Sequence, residues 1–270
     1  MTAANDYMIQ VQDITTGYGH TVIHAGMSFT VRRGEIFVIV GGSGCGKSTL
    51  LRHLAGLQPV LAGTITIDGH LLQADDDRAR TAIARRMGVL FQSGALFGSM
   101  TLAENIELVL EEYTDLPPKA RDALARTKLA MVGLSGYENY LPAQISGGMK
   151  KRAGLARAMA LDPPLLFFDE PSAGLDPVSS AELDHLIMQI NASLGTTMVV
   201  VTHELASIFA IAQRVIMLEK GVRGIVAEGT PQALQADTAR PSVSAFFNRA
   251  RRATHGAASR KQDAYGNRSQ

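Results

Sequence analysis

Residues Gly41-Gly42-Ser43-Gly44-Cys45-Gly46-Lys47-Ser48 read G-x-x-x-x-G-K-S. An apolar, β-branched run, Ile36 to Val40, precedes them, and Leu50, Leu51, Leu54 and Leu57 follow at helical spacing. Strand, glycine-rich loop and helix in that order form the context a phosphate-binding P-loop requires. Glycines let the backbone curl until successive N–H groups converge on one phosphate. The helix that starts there adds the positive end of its dipole. The cradle is expected to run from Gly41 to Thr49, with Lys47 reaching the β- and γ-phosphates and the Ser48 hydroxyl ligating Mg²⁺. The chain is therefore expected to bind a nucleotide.

A chain of 270 residues can bury a full core, and a hydrophobic content of 46% against 19% charged marks it as globular. A net charge of +1 gives no field that favours nucleic acid. The longest apolar runs are strand-length, well short of the ~20 residues of a bilayer span. No N-terminal signal is visible, and Cys45 is the only cysteine, which suits a reducing compartment. A cytosolic protein fits these traits, including one that docks on a membrane protein.

Periodicity predicts strands at Met8–Ile14, Met27–Val31, Ile36–Val40, Thr64–Ile67 (entering an Asp68-Gly69 turn) and Met87–Phe91. The middle turns helical: Thr101–Glu112, Lys119–Val132 behind Pro117-Pro118, and Met149–Leu161 behind Gly147-Gly148. Strand and helix then alternate: Leu165–Phe168, Val178–Ser193 capped by Asp176-Pro177, Thr197–Thr202, Glu204–Ile211 and Val215–Glu219. This alternation predicts an α/β core with a mostly parallel sheet, an N-terminal antiparallel β subdomain, and an inserted α-helical subdomain over roughly 93–162. The core domain is expected over 7–240, a C-terminal helix over 241–252, and a disordered polar tail over 253–270. For that tail, contact with anionic headgroups through its Arg and Lys residues is the alternative.

Several residues carry chemistry beyond the P-loop. Leu165 to Phe168 ends in Asp169-Glu170, where Asp169 would hold Mg²⁺ and Glu170 would act as general base on water. Ser146-Gly147-Gly148 at a helix start forms a second anion cradle. Gln92 follows one strand and could reach the metal and sense the γ-phosphate. His203 follows another, at the sheet edge where phosphates collect.

Taken in order, these motifs resemble those of the ATP-binding-cassette (ABC) ATPases over about residues 7–240. The resemblance adds Tyr18 as an aromatic that stacks on adenine, the D-loop Ser172-Ala173-Gly174-Leu175-Asp176, and the switch role of His203. Met149 stands where the family signature usually has Gln. Phe91 to Phe97, Ser146 to Ala153 and Thr202 to Leu205 are similar to the Mla/Mkl-type subgroup, in which that Met is normal. The resemblance implies a homodimer of ATPase subunits, with ATP and Mg²⁺ between Lys47 of one and Ser146-Gly147-Gly148 of the other. It also implies a transmembrane permease docking near Gln92, an MCE-domain lipid-carrying partner, phospholipid transport, and a place on the cytoplasmic side of the bacterial inner membrane.

Alternatives stay open at this point. The chain could serve another ABC importer, or act on DNA or ribosomes as a soluble ABC ATPase. The near-neutral charge and the single cassette disfavour the latter. A regulatory module without hydrolysis is disfavoured by the presence of both Glu170 and His203. Lys150, Lys151 and Arg152 are expected on a solvated helix face, with a dimer or permease contact as the other reading. Cys45 is expected to be a tolerated small residue, and Phe246 and Phe247 to pack in the core.

Overall fold

A computed structural model describes residues 6–72 and 77–249. Strands β1 (Tyr7–Tyr18) and β2 (Thr21–Arg32) pair as an antiparallel hairpin. Both are longer than the sequence periodicity predicts. Register shifts between Val11 and Ile14 and around Thr16, with Asp13 at φ 48°, break the alternation that marks a strand while the pairing continues past them. Then come β3 (Ile36–Gly41), α1 (Lys47–Leu54), β4 (Ala62–Ile67), β5 (His70–Leu71), α2 (Asp77–Ala84) and β6 (Met87–Leu90).

The helical middle holds α3 (Leu102–Tyr113), α4 (Pro118–Met131) and α5 (Gly147–Ala158). Each starts where its sequence dictates. Thr101 and Glu104 form a reciprocal capping box on α3, Pro118 opens α4, and the Ser146 hydroxyl accepts from Met149 N–H on α5. Alternation resumes with β7 (Leu165–Asp169), α6 (Pro177–Leu194), β8 (Thr197–Val201), α7 (Leu205–Ile211), β9 (Arg214–Leu218), β10 (Ile225–Gly229), α8 (Pro231–Ala236) and α9 (Pro241–Phe247). Asp176 caps α6 and Gly195, left-handed at φ 64°, ends it. The expected tail over 253–270 and the end of the expected C-terminal helix lie outside the described residues. Phe246 and Phe247 are buried, as their reading as core residues required.

Two sheets result. One is antiparallel, ordered β2-β1-β4-β5; the other is ordered β10-β9-β3-β8-β7-β6. In the second, β9, β3, β8, β7 and β6 run parallel, and only β10 pairs antiparallel. Every residue of β3, β7 and β8 is buried, as expected for strands covered on both faces. Alternate residues feed two cores. Val38, Val40 and Phe168 pack with the helical layer of α3, α4, α5 and α6, whereas Phe37, Ile39 and Phe167 pack with α1 and the antiparallel sheet. Burying such side chains contributes about 1.5–3 kcal/mol each.

Arg214 joins the two sheets. Its guanidinium donates to both carboxylate oxygens of the buried Glu35 (2.7 and 2.8 Å) and to the Thr30 carbonyl, and lies 4.8 Å from the Phe37 ring centroid. Elements α2, β10 and α8 were not legible in the periodicity. They are five to eight residues long, and β10 is an edge strand with one fully buried residue, Ala227.

Candidate functional site

Four neighbouring strands deliver their C-terminal ends to one edge of the parallel sheet. In spatial order β3, β8, β7 and β6, these ends lead into the P-loop, His203, Asp169-Glu170 and Gln92. Open α/β sheets bind ligands along this kind of edge.

The P-loop is shaped by its glycines and by a histidine the sequence reading missed. Gly46 sits at φ 92°, and a Cβ there would come within 2.5 Å of the His24 ring. His24 is fully buried; its Nε2–H donates to the Cys45 carbonyl at 2.9 Å and its Nδ1 accepts from the Thr16 hydroxyl at 2.9 Å. Burial lowers its pKa, and nearby His53 lowers it further. One ring thus pins the loop to the antiparallel sheet. The only sequence signal was a polar residue at an inward-facing position of β2.

Gly42, Ser43 and Gly44 form the exposed rim of the loop, and Cys45 turns its side chain into the core. Burial pushes the Cys45 thiol up, so the residue behaves as the small buried side chain expected of it. Lys47 is buried, and its ammonium donates to the Gly41 and Gly42 carbonyls at 3.1 and 3.3 Å. Thr49 bonds the Tyr18 hydroxyl at 2.8 Å, which places the half-exposed Tyr18 ring beside the start of α1.

The Ser48 hydroxyl donates to Asp169 Oδ1 at 2.8 Å, across 121 residues of sequence. Gln92, Asp169, Arg52 and Gly174 line one open cleft of about 790 Å³. One hydroxyl, one carboxylate and an amide across a cleft suit Mg²⁺, which takes few protein ligands and keeps waters and phosphate oxygens. Among the described residues no group of three His, Cys, Asp or Glu side chains could cage a metal alone.

Glu170 follows directly at φ 49°, an uncommon conformation for a side chain of this size. Its N–H bonds the Val201 carbonyl at 2.9 Å, so β8 holds the backbone while the carboxylate turns toward the P-loop. Oε1 lies 3.8 Å from Lys47 Nζ and Oε2 lies 2.8 Å from His203 Nδ1.

The Ser146-Gly147-Gly148 turn stands elsewhere. Ser146 and Gly147 are exposed at the N-terminus of α5, with Gly147 beside Leu175, just before α6, and Gly148 beside Ser179 in its first turn. The expected solvated face on the next turn needs correction. Lys151 is buried, because α5 is packed between β6, α3, α4 and α6. Its ammonium donates to the Gln92 carbonyl and, at 3.4 Å, to the Glu170 carbonyl. Burial lowers its pKa, while Asp169, Glu170 and Glu204 oppose that shift. Arg152 pairs with Glu182.

Fold and site together define a P-loop nucleotide triphosphatase. The family model described as ABC transporter matches residues 24–173. The chain is 40% identical over 241 residues to the intermembrane phospholipid transport system ATP-binding protein MlaF of Escherichia coli (strain K12), covering 89% of this chain and 88% of the relative. It is 39% identical over 256 residues to the probable ribonucleotide transport ATP-binding protein mkl of Mycobacterium tuberculosis (strain ATCC 25618 / H37Rv), covering 95% and 70%. The dimeric ATP-binding cassette MJ0796, in a post-hydrolysis state bound to ADP and Pi, superimposes with a TM-score of 0.75 at 30% identity, covering 83% of this chain and 98% of that one. The cbiO1 subunit from Clostridium perfringens gives 0.78 at 25% identity, covering 86% and 92%. The chain belongs to the ABC transporter family, as an ATP-hydrolysing cassette of the Mla/Mkl kind. No helix among the described residues is long and apolar enough to cross a membrane.

Proposed function

We propose that this chain is the ATPase subunit of a bacterial lipid transporter and acts as a head-to-tail homodimer. In this reading Tyr18 stacks on adenine and the N–H groups from Gly41 to Thr49 wrap the phosphates. Lys47 neutralises the β- and γ-phosphates. Ser48, Asp169 and Gln92 would hold Mg²⁺, which when bound spreads the developing charge of the phosphates. Glu170 takes the proton of the attacking water, and His203, bonded to it, orients the carboxylate and meets the γ-phosphate side. Ser146-Gly147-Gly148 completes the nucleotide site of the partner subunit, where the N-terminus of α5 favours an anion. Loss of the γ-phosphate removes those contacts, and the halves part.

The observation that carries the reading is the Ser48–Asp169 hydrogen bond at 2.8 Å, with Glu170 next to it between Lys47 and His203. Lys47→Ala is the direct test. Losing a charge-assisted contact of about 1.5–3 kcal/mol should weaken ATP binding by roughly tenfold or more. Unchanged affinity would remove Lys47 from the phosphate site.

For transport, we infer a permease seated near Gln92, an MCE-domain partner, phospholipid as cargo, and a place on the cytoplasmic side of the inner membrane. The MlaF relatives support phospholipid. The mkl relatives bear a ribonucleotide transport name, which gives the second reading. Purification in mild detergent separates the two: phospholipid bound to the co-purifying proteins and raising ATP turnover supports the first, and ribonucleotide doing so supports the second.

A further inference from the structure

Lys151 lies one helical turn inside α5, whose N-terminus is the exposed Ser146-Gly147-Gly148 turn. The residue is 6% exposed, and its ammonium holds two backbone carbonyls that belong to different parts of the site, those of Gln92 and Glu170. The same helix face continues with Gly154 and Arg157. A Cβ on Gly154 would come within 2.8 Å of Leu90 and 3.0 Å of the Gly94 carbonyl, so the helix lies directly on the loop after β6. Arg157 donates to the Ala95 carbonyl at 2.7 Å and to the Gly94 carbonyl at 3.3 Å. The loop Gln92–Ala95 is thus clamped to α5 at both ends, and Lys151 extends the clamp to Glu170.

This arrangement has a mechanical consequence. Interiors are close-packed and transmit displacement instead of absorbing it. A shift of α5 along its axis must carry the Gln92 and Glu170 backbones with it or break buried charge-assisted bonds. Glu170 is also the residue held at φ 49°, so its carboxylate position depends on what fixes its backbone.

We propose that Lys151 is a positioning residue that couples the Ser146-Gly147-Gly148 turn of a subunit to the placement of Glu170 and Gln92 in the same subunit. Seating that turn on the partner's nucleotide sets the hydrolytic residues of its own site, so the two sites fire together. The proposal rests on the site reading given above.

Lys151→Met keeps the stem and removes both contacts, and Lys151→Arg keeps donors that reach two carbonyls. Both variants of the full-length chain are assayed in the detergent-purified transporter, beside Glu170→Gln. Expected for Lys151→Met is a kcat at least tenfold lower, a Hill coefficient for ATP falling from near two toward one, and nucleotide affinity within twofold of wild type. Lys151→Arg should restore most of the cooperativity. Wild-type kcat and Hill coefficient in Lys151→Met would overturn the proposal. So would a lower kcat with unchanged cooperativity, or parallel loss of the thermal transition and nucleotide binding, because each leaves Lys151 a structural tie only. Wild-type turnover in Glu170→Gln would sink the site reading itself; an inactive Glu170→Gln beside an unaffected Lys151→Met would sink the coupling alone.

Discussion

His203 Nδ1 lies 2.8 Å from Glu170 Oε2, and this contact bridges the ends of two adjacent parallel strands, β8 and β7. With Lys47 Nζ 3.8 Å from the other oxygen, the carboxylate is oriented from both sides. A group held this way needs little reorganisation to accept a proton.

Glu170→Gln preserves shape and hydrogen bonding but cannot take that proton. ATP binding should persist while turnover falls by about 10²–10⁴-fold. Single-turnover hydrolysis beside an equilibrium binding assay separates the two effects. Wild-type turnover would exclude Glu170 as the base.

Tyr18 offers an exposed ring fixed by its hydroxyl, which bonds Thr49 at 2.8 Å. Aromatic stacking contributes about 0.5–1.5 kcal/mol. Tyr18→Ala should raise the KM for ATP roughly 2–10-fold and blunt discrimination between ATP and GTP, whereas Tyr18→Phe should stay close to wild type. Equal KM values in all three proteins would rule out stacking.

Gly88 lets α5 approach β6. A Cβ there would fall 2.0 Å from the Ala158 carbonyl oxygen, a backbone atom with no freedom to swing away. Gly88→Ala should therefore cost about 1–3 kcal/mol of stability, while Gly98→Ala, where a Cβ meets open space, should cost far less. Thermal unfolding of the two variants makes the comparison, and equal midpoints would contradict the close approach.

His24 and His53 bind as neutral rings. His53 donates from Nδ1 to the Gln58 carbonyl and accepts the Gly17 N–H at Nε2, and burial lowers both pKa values below the ordinary 6.5. The unfolded chain then holds more protons than the native one just below pH 6.5. Their stabilisation is complete above that value and declines as pH falls through it toward the folded values. The slope should reach up to about 1.4 kcal/mol per pH unit for each ring. Thermal unfolding between pH 7.5 and 5 should show a flatter dependence in His53→Gln than in wild type, and identical slopes would disprove the effect.

Much of this site was legible because its motifs are local. Gly41 to Ser48 had to be a strand–loop–helix cradle, and Asp169-Glu170 had to end a buried strand. Sequence spacing could not show which strand ends lie side by side, because pairing in a parallel sheet is long-range. The contact between Ser48 and Asp169 depends on that order. Lys151 was misread because three consecutive basic residues resemble a solvated face; burial of α5 on several sides decides otherwise. His24 was missed because a single polar residue in an alternating strand carries no sign of what it touches. The breaks at Asp13 and at Gly26, left-handed at φ 67° where the register shifts between Met27 and His24, hid the true length of the first hairpin.

The central strand β8 pairs with β3 on one side and β7 on the other, yet it is synthesised after both. A nascent chain can expose its glycine loop and its acidic pair long before residue 197 emerges, but they flank a gap one strand wide. Closing that gap joins segments about 160 residues apart, a costly step in loop entropy. Competence to recognise the triphosphate therefore arrives late in biogenesis, when β8 slides into the middle of the sheet between β3 and β7.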